Sequence, residues 1–416
     1  MTNYALLQSG LNTIVGRPLG LPPNIPGAIH ALPVRDSVIP PPEMPGHGLP
    51  RAVNYLADYG GCSFYRCMSP NLMLNLYQKA VIIESTAMVL DPRFYQGVQA
   101  VKIQRQATPA QREFVRLLKG LSREIGFKII YEVDDIVFRE GIPDYNRNKD
   151  AFVSDEIRNS IIDIIEMCDE VTVTCDYMRD YFKSKTRNQN VTVIPNYLLK
   201  WWFDRYYDIN KLAKNYEKNK KRPVVSIFAS GTHVDVVNRT NQQDDFTAVV
   251  SAIIKTRKEY KWQFYGSYPL PLKPFIDSGE MLYSPWVQLP DFPGAVAESG
   301  SQLTFAALQD NDFNRAKSNI KLLEAGAIGL PCVCPDMVTY KDAFLKYKTG
   351  DEFIDQIKYT LKDQGRYIQL CKKSRTFTED YWLESENNIG KHQEAYFTQY
   401  GSSERKYLLE SNPKFA

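Results

Sequence analysis

Residues 313–336, FNRAKSNIKLLEAGAIGLPCVCPD, bring two cations, an amide and a carboxylate together at helical spacing. Asn314, Lys317, Lys321 and Glu324 are three, four and three residues apart, which predicts one shared polar helix face. Ile320, Leu323 and Ala327 supply an apolar stripe for the opposite side. Cations beside the free backbone N–H groups of a helix start favour an anion such as a phosphate. A carboxylate two turns later suits a sugar hydroxyl, so the pattern fits a nucleotide diphosphate. A solvated face with ordinary i,i+4 charge pairing has the same spacing. Gly329 and Pro331 end the helix and Cys332-Val333-Cys334 reads as a short buried strand, the helix-to-strand step of an α/β domain.

Further candidates follow predicted strands. Lys128–Val133 is a buried strand running into Asp134-Asp135. Carboxylates at the carboxyl end of a parallel strand stand where open α/β sheets bind ligands. They could hold a metal or orient an acceptor hydroxyl, or simply cap the next helix. Val224–Phe228 leads into Ala229-Ser230-Gly231-Thr232-His233, and His233 is one of four histidines. Ala52–Leu56 leads into Gly60-Gly61 and then Cys62–Arg66. A double glycine lets a substrate approach the backbone, although it matches neither G-x-G-x-x-G nor the Walker pattern and is also what a tight turn needs. Between Lys102 and Lys128 there are seven basic and two acidic residues. Arg112, Arg116, Lys119 and Arg123 recur at helical spacing, behind Thr108-Pro109 as a helix start. This basic stripe is either a solvated face or a surface that tracks phosphates.

These elements must be positioned by a chain of 416 residues, long enough for two domains. Hydrophobic residues make 44% and charged residues 24%, with a net charge of +3, so a nucleic-acid partner would need a local patch. No apolar run reaches membrane-spanning length, and no basic segment followed by an apolar core marks a signal peptide. Seven cysteines, an odd number without a zinc-type spacing, predict a reduced cytoplasmic protein with no metal site. Residues 1–50 hold ten of the 25 prolines and only four charged residues, which predicts an extended arm. Strands and helices then alternate, which predicts doubly wound parallel sheets. The expected boundaries are an N-terminal domain at 51–200, a basic connector at 201–222, a C-terminal domain at 223–378, and a last helix and tail at 379–416.

Glu324-Ala325 followed by Gly329 and Pro331 resembles the E-A-x-x-x-G-x-P signature of GT-B glycosyltransferases, in particular glycosyltransferase family 4. Asn314, Lys317 and Ser318 resemble the F-N-x-A-K-S-x-x-K form of a phage and bacterial branch. The G-C-S-F-Y-R, Y-E-V-D-D, V-x-V-I-P-N and S-G-T-H strings are similar to its other motifs. The resemblance implies two Rossmann-like domains facing a cleft, with a C-terminal helix crossing back. It implies a UDP-sugar co-substrate, no obligatory cofactor, and retention at the anomeric carbon. Glu324 would bind the donor ribose, and Lys317 and Lys321 the diphosphate. Gly60, Gly61, Gly231, Thr232, His233, Asn314 and Ser318 would line the donor site. Asp135, His233 and Lys317 would act in catalysis, and Arg66, Arg112, Arg116, Lys119, Asp134 and Asp135 would meet the acceptor. Ala316 stands where the family has a second Glu near the sugar, and Arg239 is the one Arg near its usual diphosphate pair. The branch includes enzymes that add glucose or arabinose to 5-hydroxymethylcytosine in DNA. A polysaccharide or protein acceptor, or a non-catalytic nucleotide-sugar-binding protein, are the other expectations.

Overall fold

The computed structural model describes residues 48–152, 154–235 and 243–398. Most of the proline-rich arm, Arg239 and the tail after 398 lie outside them. Two six-stranded parallel sheets organise the chain. The first holds β1 (Arg51–Tyr55), β2 (Val81–Ser85), β3 (Ala100–Gln104), β4 (Lys128–Glu132), β5 (Glu170–Val173) and β6 (Val191–Val193) in the order β2-β1-β3-β4-β5-β6. The second holds β7 (Val224–Ala229), β8 (Lys261–Gly266), β9 (Leu282–Ser284), β10 (Leu303–Phe305), β11 (Cys332–Pro335) and β12 (Leu345–Tyr347) in the order β12-β11-β10-β7-β8-β9. In each sheet the order reverses beside the first strand, the place where doubly wound sheets open a crevice at their carboxyl ends.

Local sequence accounts for these elements. The central strands are buried on both faces, as helices on each side require: Ala52, Val53, Val101, Ile129 and Ile130 are fully buried. The Pro109–Ile125 helix starts at a capping box, with Thr108 Oγ1 accepting from Gln111 N and Gln111 Oε1 from Thr108 N. It stops at Gly126, whose φ of +98° suits glycine.

The connector forms the helices Lys200–Asp204 and Ile209–Asn219. Trp202, Phe203, Leu212 and Tyr216 are buried in a core that also takes Phe64, Leu198, Leu323 and Leu383, so apolar packing runs continuously between the sheets. Chain return happens at residues 380–385, between the helices Gln364–Glu379 and Glu386–Phe397. There Leu198 N donates to Tyr381 O and Leu383 N to Leu198 O. The last helix then docks on the first half: Tyr396 Oη donates to Asn71 Oδ1 of the helix Ser69–Leu76 at 2.8 Å, and Lys128 Nζ of β4 donates to Ala395 O at 2.7 Å. The expected last helix is Glu386–Phe397, starting later than 379, and the chain crosses back in the turn before it. Among the described residues no helix is long and apolar enough to cross a membrane.

Candidate functional site at the facing strand ends

The stretch expected to be one helix is two. Asp312–Arg315 forms a single turn and Ile320–Ala327 forms the helix proper. No glycine or proline separates them. The break comes from competition for carbonyls. Asn314 O, which a continuous helix would offer to Ser318 N, accepts Thr339 Oγ1 at 2.6 Å. Ala316 O accepts Thr174 Oγ1 and Cys175 Sγ, both at 3.4 Å, from the end of β5. Lys317 thus precedes the helix instead of sitting in its first turn, while Lys321 is in that turn.

The break lets these residues face different partners across the two halves. Lys317 Nζ donates to Asp135 Oδ1 at 3.2 Å, with side chains 17% and 24% exposed, and lies 4.4 Å from the Phe313 ring centroid. Burial alone would depress its pKa, but Asp135 outweighs burial and keeps the ammonium charged. Lys321 Nζ donates to Phe228 O at 2.5 Å at the end of β7. Burial lowers its pKa against the opposing pull of Glu324. Glu324 Oε1 accepts Tyr65 Oη at 2.7 Å, and burial pushes the carboxyl up to about 7. Tyr65 is held high in turn by burial and by that carboxylate.

His233 is buried at the end of the β7 loop. Its Nδ1 lies 2.7 Å from Asp245 Oδ2. Burial lowers the imidazole pKa, the Asp245 hydrogen bond opposes this, and Lys321 and Lys317 add to the depression. The neutral ring therefore donates from Nδ1, which leaves Nε2 as an acceptor. Gly231 and Thr232 are in the same turn, with Thr232 Oγ1 2.6 Å from Ser230 Oγ. A Cβ on Gly231 would come 3.2 Å from Arg147 Nη1, an exposed cation reaching over from the first half.

Other expected site residues are placed differently. Arg66 is fully buried within a π-helical turn, Phe64–Met68, and cannot meet an acceptor. Its guanidinium donates from Nε to Glu132 at 2.7 Å, and from Nη1 to Ile194 O at 2.5 Å and Asn196 Oδ1 at 3.0 Å. Asn314 is fully buried as well, so it orients neighbours instead of lining the cleft; its Nδ2 donates to Asp245 Oδ1, Gln309 O and Tyr145 Oη. Ser318 Oγ accepts Asn196 Nδ2 at 2.9 Å, which joins the Arg66 cluster to the interface. Asp134 faces Arg105 at 3.7 Å, and Arg105 also pairs with Asp58. Asp58 Oδ1 accepts Gly60 N at 2.7 Å, while a Cβ on Gly61 would meet open space. The double glycine has no positive φ, so an Asp-stabilised turn explains it.

The basic stripe runs away from the cleft. Arg112 pairs with Asp163, Arg116 with Glu113 and Lys119 with Asp169. Asp169 directly precedes β5, at the end of the sheet opposite the carboxyl ends. Asp245, Tyr145 and Tyr65 were not singled out from sequence. Only Asp245, at the start of a helical pattern, carried any signal, as a helix-start acid. The seven cysteines are free, and no group of three His, Cys, Asp or Glu side chains poised for a metal occurs among the described residues.

No protein-family model matches the chain, and no curated protein matches it in sequence. Solved structures do. The chain is similar to Anabaena HepE (Alr3699) in complex with UDP and glucose, at 9% identity and a TM-score of 0.56 over 85% of this chain and 100% of that one. It is similar to an α-glucosyltransferase in complex with UDP and a 13-mer DNA containing an HMU base, at 9% identity and a TM-score of 0.54 over 84% and 99%. At this identity the likeness speaks to the fold, which is GT-B: two Rossmann-like parallel-sheet domains facing a cleft.

Proposed function

We propose that this chain is a glycosyltransferase that moves a sugar from a UDP-sugar to 5-hydroxymethylcytosine in DNA. One observation carries the donor half. At the facing strand ends Lys317 takes an anionic oxygen, from Asp135, and Glu324 takes a hydroxyl, from Tyr65. An anionic group and a hydroxyl at that separation along one segment are what a nucleoside diphosphate offers through phosphate and ribose. Structures bound to UDP share the fold. The acceptor half rests on the resemblance of the sequence motifs and on the likeness to the DNA-bound α-glucosyltransferase.

In this reading the bond between the anomeric carbon and the diphosphate oxygen breaks, and UDP leaves with the electron pair. Lys317 and Lys321 neutralise the leaving group in a site partly closed to water, where such contacts count for more. The acceptor hydroxyl attacks the anomeric carbon and gives its proton to the departing diphosphate oxygen. Asp135 is released when a diphosphate takes its lysine, and it lies on the acceptor side to orient that hydroxyl. His233 Nε2 accepts a hydrogen bond within the cleft. The remaining contribution is positioning of donor against acceptor. A base within a duplex would have to be extruded to reach the cleft.

The test is mass spectrometry of hydroxymethylated DNA after incubation with the protein and UDP-glucose, UDP-arabinose or other UDP-sugars. A mass increase on the modified cytosine is expected with one of them. Sugar released from the donor without any transfer to DNA would move the acceptor to another class, such as a polysaccharide or protein. No UDP binding by calorimetry would overturn the donor assignment.

A further inference from the structure

Asp245 is 2% exposed, and both of its oxygens are committed. Oδ2 faces His233 Nδ1 at 2.7 Å. Oδ1 accepts Asn314 Nδ2 at 2.6 Å, Tyr145 Oη at 2.5 Å and Gln309 N at 3.0 Å. Four donors on one buried carboxylate are what stabilises its charge without solvent. Three of them belong to the C-terminal half. Tyr145 alone comes from the N-terminal half, on the segment between Arg139–Gly141 and Arg147–Phe152. Two residues on, Arg147 lies over Gly231, so the same segment covers the loop that carries His233.

We propose that Asp245 is a positioning residue that fixes His233 with its Nδ1 proton inward and Nε2 toward the cleft, and that Tyr145 ties this alignment to closure of the two halves. This rests on the glycosyltransferase reading for the role of Nε2, but not for the proton placement. Geometry makes the proposal specific. In Asp245→Asn the three donors on Oδ1 require the amide oxygen at that position. The amide NH2 then takes the Oδ2 position and faces His233 Nδ1. A donor there forces Nδ1 to become an acceptor, and the imidazole proton moves to Nε2. The cleft then meets an N–H where it had a lone pair. A carboxylate with a merely structural role would affect stability without lowering kcat in the folded chain.

The experiment uses the full chain with 15N-labelled histidine. Only four histidines are present, and His233→Gln identifies the signal. The wild type is expected to show the Nδ1–H form at neutral pH, and Asp245→Asn the Nε2–H form. With the UDP-sugar found active above, Asp245→Asn should lower kcat by about 10²- to 10⁴-fold while KM for the donor changes little, as for loss of a correctly protonated catalytic group. Tyr145→Phe keeps the proton on Nδ1 and should lower kcat by about tenfold or more, from loss of one hydrogen bond to a charged group. An Nε2–H form in the wild type overturns the proposal. So does a folded Asp245→Asn chain with an unchanged His233 signal, or Tyr145→Phe with wild-type kcat. If Asp245→Asn does not fold, the wild-type signal and the Tyr145→Phe kinetics still decide. A wild type that binds no UDP but shows the Nδ1–H form and its inversion would overturn the donor assignment while upholding the proton placement.

Discussion

Two sets of cations with similar spacing have opposite fates in this fold. Arg112, Arg116 and Lys119 lie along the Pro109–Ile125 helix, and each has a nearby carboxylate on its own helix or a neighbouring element. Lys317 and Lys321 lie where two domains meet, and their partners are a carboxylate across the cleft and a backbone carbonyl. Arg112–Asp163 and Arg116–Glu113 are exposed pairs, which contribute about 0–1 kcal/mol each. Lys119–Asp169 is as covered as Lys317–Asp135, so what sets the second set apart is that it faces across the cleft. Spacing along the sequence does not separate the two sets; the direction of the strands does, because it brings only the second to the cleft.

A third cation marks the far end of this comparison. Arg66 is fully buried against Glu132, whose other oxygen also accepts Thr172 Oγ1 at 2.5 Å. Arg66→Ala would leave a carboxylate without its partner in the core. A loss of about 3–5 kcal/mol is expected, measured by urea denaturation. A change below about 1 kcal/mol would mean that water reaches the pair.

The next largest effect should fall on Lys317. Lys317→Ala should lower turnover by about 10²- to 10³-fold, the scale for removal of one group that stabilises developing negative charge. Its thermal stability should change little, because Asp135 is partly solvated and can rehydrate. Steady-state kinetics beside a melting curve separates the two. Equal turnover in variant and wild type would return Lys317 to the class of the stripe.

Glu324 sharpens the contrast through pH. Its carboxyl is raised to about 7, chiefly by burial. The folded protein therefore holds a proton between about pH 4.5 and 7 that the unfolded chain has released. The stabilisation is present in full below the unfolded pKa and is lost as pH rises through the folded one. Glu324→Gln should remove this loss. Melting at pH 8 should be higher than in the wild type by roughly 3 kcal/mol at most, with little difference at pH 4. Binding of UDP should weaken at the same time. A variant less stable than the wild type at pH 8 would show that the charged form is favoured by the fold.

The smallest effect belongs to the stripe. Neutralising Arg112 and Arg116 together, the two cations in exposed pairs, should change stability by no more than about 1 kcal/mol. The salt dependence of DNA binding, read by fluorescence anisotropy with hydroxymethylated duplex, should keep its slope. A slope flatter by about two units would show that both side chains leave their acids for phosphates.

Some features were legible because they depend on neighbours in sequence. The helix start at Thr108-Pro109 needs only a few adjacent residues. The turn at Gly329, with φ +78°, follows from the same kind of local chemistry. Continuous apolar runs announced parallel strands buried on both faces. Residue type gave Lys317 and Glu324 as candidates, while their contacts with Asp135 and Tyr65 came only from the fold.

What the sequence by itself determined is therefore the alternation of strands and helices, the two-sheet architecture and the short list of polar residues at strand ends. Only the tertiary structure decided which of them act together. Asn314 and Arg66 were drawn inside because Asp245 and Glu132 needed donors away from water. The helix after Phe313 stopped because Thr339, from a helical turn, and Thr174 and Cys175, from just beyond β5, claimed its carbonyls. Tyr145 reached Asp245 across 100 residues of chain. A hydrogen bond between distant residues depends on where the fold places both ends, and no spacing along the chain encodes that distance.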